Sequence, residues 1–196
     1  MSTPARRIVH DPTELDDRRA AADGLTERRD VWQLRRPLPI GEDGAVTTRA
    51  FVPGSSDEAE WIAVNNRAFA GHPDQSGMTA ERLRAQLAED WFDPDGFRLH
   101  ERDGRLAAFC WTKRHPATTT DPAMGEIYVV GVDPDFQRLG LGRALVLAGL
   151  AWLAEAGETI GMLYVDESNV RARRLYDELG FTCHHVDRLY EPPSRA

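Results

Sequence analysis

The 196-residue sequence has little cysteine: only Cys110 and Cys183. Two cysteines cannot build a disulfide framework, and both lie in apolar, strand-like runs. They are expected as reduced core thiols of a cytoplasmic protein. Long apolar runs are missing too. None approaches the ~18 residues that a membrane span needs, so no membrane partner is expected. The opening stretch, MSTPARRIVHDPTELDD, lacks the apolar core of a signal peptide. Positive charge is in deficit: 24 Lys and Arg against 32 Asp and Glu give a formal net charge of −8. That argues against a general affinity for nucleic acid or anionic membrane. Any anionic ligand must instead be met by a local cluster of donors.

What is present suits one globular domain with a short extension: 41% hydrophobic and 29% charged residues. Residues 1–44 read as polar and irregular until RRDVWQLRRPLP, which has strand-like spacing and ends at prolines. The stretch 24–37, GLTERRDVWQLRRP, echoes 180–192, GFTCHHVDRLYEP, with one residue of slip. Either two short strands coincide, or residues 1–44 carry the tail strand of a missing first repeat.

From residue 45 the pattern is regular. AVTTRAFV reads as a strand, and Ser55-Ser56-Asp57-Glu58 as a capping-box start to a helix. Thr79 opens a second helix with Leu83 and Leu87 at i, i+4 spacing. Asp103-Gly104 joins two strands as a hairpin. GEIYVVGV reads as a buried central strand, and LGRALVLAGLAWLAEAG as a helix that Gly157 closes. IGMLYV (a strand), NVRARRLYDEL (a helix capped by Gly180) and FTCHHVDRLY (a strand) complete the order β-α-α-β-β-β-α-β-α-β. This is an α/β class with a mixed central sheet and flanking helices over 45–196.

Between strand and helix stands QRLGLGRA, residues 137–144. It lacks the Gly-Lys-Ser/Thr end of a P-loop, and Leu145 occupies the third glycine position of a dinucleotide fingerprint. It fits Q/R-x-x-G-x-G/A at Gln137, Gly140 and Gly142. Glycines let backbone approach a pyrophosphate. The first-turn N–H groups and helix dipole face the anion, and Arg138 and Arg143 add charge.

With that motif the chain resembles the GCN5-related N-acetyltransferases. Asn169…Tyr176…Gly180-Phe181 in NVRARRLYDELGF matches a second signature of the family. WTKRHP, NNRAFAGHPDQSG, MLYVDESNVRARRLY and HHVD are similar to the C-terminal, active half of the mycothiol synthase family, whose members are tandem. The resemblance implies acetyl-CoA as acyl donor, no metal, and a small-molecule primary amine as acceptor, in a monomer or homodimer. The acceptor it implies is the cysteinyl amine of a glucosaminyl-inositol conjugate. It implies donor contacts from Val130, Gly131 and Val132, from Gln137, Arg138, Leu139, Gly140, Leu141, Gly142 and Arg143, and from Asn169 and Arg174.

The resemblance makes Glu126 the general base and Tyr176 the acid for the leaving thiolate, a phenol of pKa about 10 donating to a thiolate of about 8.5. His184 and His185 are weaker candidates for the base. Asp74, Lys113 and Tyr164 are the implied acceptor residues, and Asp74 stands where the family prefers Glu. Read as residues alone, several have ordinary alternatives. Glu126 could be a solvated strand-end carboxylate, Tyr176 and Tyr164 packing aromatics, Asn169 a helix cap and Lys113 an exposed strand-end cation. Two rival functions stay open: an acetyltransferase for an aminoglycoside or polyamine, and a non-catalytic acyl-CoA-binding module.

Overall fold

A computed structural model describes residues 6–41, 44–72 and 75–193. In chain order the elements are β1 (Arg7–His10), α1 (Glu14–Ala22), β2 (Glu27–Pro37), β3 (Arg49–Ala50), α2 (Asp57–Ala68), α3 (Ala80–Leu87), β4 (Phe97–Arg102), β5 (Arg105–His115), β6 (Met124–Val132), α4 (Leu141–Glu155), β7 (Ile160–Asp166), α5 (Val170–Glu178) and β8 (Thr182–Glu191). From β3 onward this is the expected α/β order. The described residues fall into two compact units: Pro37–Gly161, and the flanking segments up to Arg36 and from Met162.

In the unit built from the flanking segments the strand order is β1-β8-β2-β7. β1 and α1 stand where irregular chain was expected. The reason for α1 is local: Thr13 accepts a hydrogen bond from the Asp16 N–H, and the Asp16 carboxylate accepts one from the Thr13 N–H at 3.0 Å. An Asp in place of the usual Glu or Gln closes this reciprocal cap. The two echoing segments lie side by side as β2 and β8, paired antiparallel from Glu27↔Glu191, with a register shift between Gln33 and Leu34. Arg188 on β8 binds Asp30 and Asp17 as a half-buried hub, and the Tyr190 hydroxyl donates to Asp17 at 2.7 Å. Cys183 corrects an expectation. It is exposed rather than a core thiol, because the first half of β8 is left uncovered.

In the Pro37–Gly161 unit the order is β6-β5-β4-β3. The Asp103-Gly104 turn closes β4 on β5, both residues at positive φ as a primed turn demands. One sheet face carries an aromatic core, with Phe97 stacked between Phe51 and Trp111 at 4.5 and 4.4 Å and Trp61 edge-on to it. The other face takes α4, whose Leu145, Leu150 and Leu153 are fully buried. Each such leucine contributes about 1.5–3 kcal/mol. Gly149 sets how closely α4 approaches: a Cβ there would stand 2.5 Å from Cys110 Sγ and 2.8 Å from Ile127.

The expected cap at 55–58 forms in a modified way: Ser55 Oγ accepts from the Asp57 N–H at 3.2 Å, and the Glu58 carboxylate accepts from the Gly54 N–H at 2.8 Å. Ser56 makes no side-chain cap. Asp57 instead takes two hydrogen bonds from Arg49, at 2.7 and 2.8 Å, and one from the Val52 N–H at 2.8 Å. The Asp57 carboxylate binds the guanidinium while its own N–H is held by Ser55. Thr79 does cap α3, accepting from the Arg82 N–H, and Leu83 is fully buried.

Candidate active site

The loop QRLGLG is anchored by what precedes it. Asp133, almost fully buried, accepts hydrogen bonds from the Asp135 N–H (2.9 Å) and from Arg67 (3.1 Å), and Phe136 is buried beneath the Arg105 guanidinium. Gln137 donates to the Val132 carbonyl, which ties the loop to the end of β6. Arg138 then takes φ +65° and Gly140 φ +78°, and α4 starts at Leu141. Two left-handed residues in three turn the chain sharply enough to present the first-turn N–H groups of α4. A Cβ placed on Gly140 or Gly142 would meet nothing within 4 Å, so the backbone there is open to an approaching anion. Leu139 is exposed, Leu141 is buried, and Arg143 runs close to Gly44.

β6 is distorted where the acyl chemistry is expected. Trp111 on β5 pairs with Val129, but Thr112 pairs with Ile127, which leaves Tyr128 as an extra residue. This bulge lets Tyr128 and Val129 both serve the aromatic face while Ile127 faces α4. Val130, Gly131 and Val132 pair with Cys110, Phe109 and Ala108 of β5.

Glu126 is buried, not a solvated strand-end carboxylate. Its Oε2 lies 2.7 Å from Nε2 of His115. Lys113 is its cross-strand neighbour. The Lys113 ammonium sits over the rings of Trp91 (4.4 Å) and Tyr128 (5.7 Å). Such cation–π contacts hold a charge without neutralising it. Lys113 is the one lysine in the sequence; every other basic side chain of that charge is arginine. Burial pushes the Tyr128 phenol pKa up, the Glu126 carboxylate adds to the rise, and a hydrogen bond with Gln86 opposes it. Trp91, His115 and Tyr128 were not among the site residues expected from the sequence. The alternation Lys113-Arg114-His115 was the available signal, since it puts a cation and an imidazole on one strand face.

In the other unit Asn169 caps α5, its carboxamide oxygen accepting from the Ala172 N–H at 3.1 Å. Tyr176 is buried and lies edge-on to Phe181 at 5.8 Å. Arg174 lines a groove of about 490 Å³ with Trp32, Arg173, Asp177 and Cys183. The Tyr164 hydroxyl accepts a hydrogen bond from Gln33 at 2.8 Å. His184 is exposed, and His185 lies 3.4 Å from Asp187, which also pairs with His10 across β1 and β8. His185 thus belongs to a strand-tying ion-pair cluster. Asp74 lies outside the described residues.

The fold and the open glycine loop define an acyltransferase-type architecture. The family profile described as "Acetyltransferase (GNAT) family" matches residues 61–181, and the chain belongs to that family. Among curated proteins it is similar to a mycothiol acetyltransferase of Thermomonospora curvata, 55% identical over 89% of this chain and 59% of that protein. A mycothiol acetyltransferase of Thermobispora bispora is 51% identical over 94% of this chain and 64% of its own length. The chain therefore spans about three fifths of the curated relatives it matches. A GCN5-related N-acetyltransferase from Sphaerobacter thermophilus shares the fold, with TM-score 0.74 and 24% identity over 97% of this chain and 61% of that one. Among the described residues no helix is long and apolar enough to cross a membrane.

Proposed function

We propose that the chain transfers the acetyl group of acetyl-CoA to the cysteinyl amine of a glucosaminyl-inositol conjugate, the reaction of mycothiol synthases. The observation that carries this reading is the 55% identity to a protein named mycothiol acetyltransferase, over nearly the whole of this chain. Residues 1–44 then hold the end of a preceding repeat.

In this reading Gly140 and Gly142 seat the pyrophosphate, with the first-turn N–H groups of α4 as donors and Gln137, Arg138, Leu139, Leu141 and Arg143 around it. Val130, Gly131 and Val132 offer backbone to the pantetheine arm, and a Val130 N–H polarises the thioester carbonyl. Asn169 and Arg174 complete donor binding. The amine nitrogen attacks the carbonyl carbon and Glu126 accepts its proton. The C–S bond then breaks, and Tyr176 protonates the departing thiolate. Lys113, Tyr164 and Asp74 bind the acceptor's polar groups. Glu126 suits its part because it is buried yet carries no arginine or lysine ion pair among the described residues. A permanent cation would hold it anionic and weaken it as a base.

The test is release of free CoA on adding the cysteinyl-glucosaminyl-inositol conjugate, set against a panel of aminoglycosides and polyamines. Turnover with the conjugate alone is expected. Turnover with the panel but not the conjugate overturns the acceptor, and acetyl-CoA binding without any turnover overturns the enzyme.

A further inference from the structure

The polar partner of Glu126 among the described residues is an imidazole. His115 Nε2 lies 2.7 Å from Glu126 Oε2, with the His115 side chain 31% exposed and that of Glu126 9%. A carboxylate can only accept, so Nε2 carries the proton in this pair and Nδ1 is left on the other edge of the ring. The contact commits Oε2 and leaves Oε1 as the atom with which Glu126 can take a proton.

The surrounding charges do not compete for that contact. On β5, Lys113 turns its ammonium to Trp91 and Tyr128. Arg114 points to the opposite face and pairs with the buried Glu158 at 2.7 Å. On β6, Tyr128 feels the Glu126 charge, with Glu89 and Arg82 acting on it from the α3 side.

We propose that His115 is a positioning residue for the acetyl-transfer base, a role resting on the function proposed above. Its Nε2–H fixes the Glu126 carboxylate so that Oε1 faces the attacking amine. The amine N–H bond breaks as an Oε1–H bond forms, and His115 keeps its own proton throughout.

Three variants of the full chain test this: His115→Ala, His115→Gln and Glu126→Gln. His115→Ala is expected to lower kcat about ten- to hundredfold, the effect of a misplaced catalytic group, with the KM for acetyl-CoA unchanged. His115→Gln, which keeps a donor, is expected to recover much of that loss, which a merely structural role would not give. A wild-type kcat in His115→Ala, with wild-type turnover present, overturns the role of His115 and leaves the proposed function standing. Absence of acetyl transfer to any amine by the wild type overturns the proposed function, and the role of His115 with it. A readout independent of turnover is the ¹⁵N resonance of His115 Nε2. It is expected to move in Glu126→Gln, and no response refutes the pair itself.

Discussion

Replacing Asp57 by alanine tests the packing account most sharply. The Asp57 side chain is 6% exposed and accepts three hydrogen bonds, two from Arg49 and one from the Val52 N–H. Truncating one partner of a buried ion pair costs about 3–5 kcal/mol. Two features reduce that figure here. The Arg49 side chain is 41% exposed, and it keeps Glu101 at 2.7 Å. The expected loss is therefore about 2–3 kcal/mol, mostly from the stranded Val52 N–H and the weakened start of α2. A chain of this size then melts roughly 5–10 °C lower.

The assay is urea unfolding of both proteins from pH 7 towards pH 3. Arg49 first, with the Val52 N–H, holds the Asp57 carboxyl below the usual carboxylate range, against the opposing effect of burial. Because the folded value is depressed, the stabilisation is complete above the unfolded value near ~3.9 and is lost as pH falls through the folded one. Wild type and variant should converge in acid. A loss under about 0.5 kcal/mol at pH 7, the size of an ordinary surface substitution, would refute the reasoning.

Other outcomes follow from the same geometry. Glu126→Gln should cut kcat by about a hundredfold or more while leaving the melting temperature nearly unchanged, because shape is kept and only the base is lost; undiminished turnover across about pH 6–8 would remove Glu126 from the chemistry. Gly149→Ala should destabilise by about 1–3 kcal/mol, since its Cβ would overlap Cys110 Sγ at 2.5 Å; denaturant unfolding reads it. A thiol-reactive disulfide reagent should modify Cys183 alone in the native chain and Cys110 only after denaturation, because burial pushes the Cys110 thiol up to about 12. Native labelling of both would show that the α4 face opens.

Much of this was legible in the residues because the signals were local. Hairpin chemistry at Asp103-Gly104, the Thr79 cap and the glycine loop before α4 each depend on a few neighbouring residues. What escaped depends on distant partners. The box at 55–58 was legible, but not that Arg49 would claim the Asp57 carboxylate. Cys183 sat in an apolar run that no helix covers. Glu126 could be read as a base, but nothing in GEIYVV says that His115, eleven residues upstream on the paired strand, is its partner. The bulge at Tyr128 is likewise invisible in sequence, because it exists only in the register of β6 against β5.

The most direct test of the central claim is mass spectrometry of the product formed from isotopically labelled acetyl-CoA and the cysteinyl-glucosaminyl-inositol conjugate. One labelled acetyl group is expected on the cysteinyl nitrogen, formed together with free CoA and suppressed in Glu126→Gln. Label on another amine, or an unmodified conjugate beside bound acetyl-CoA, would contradict it.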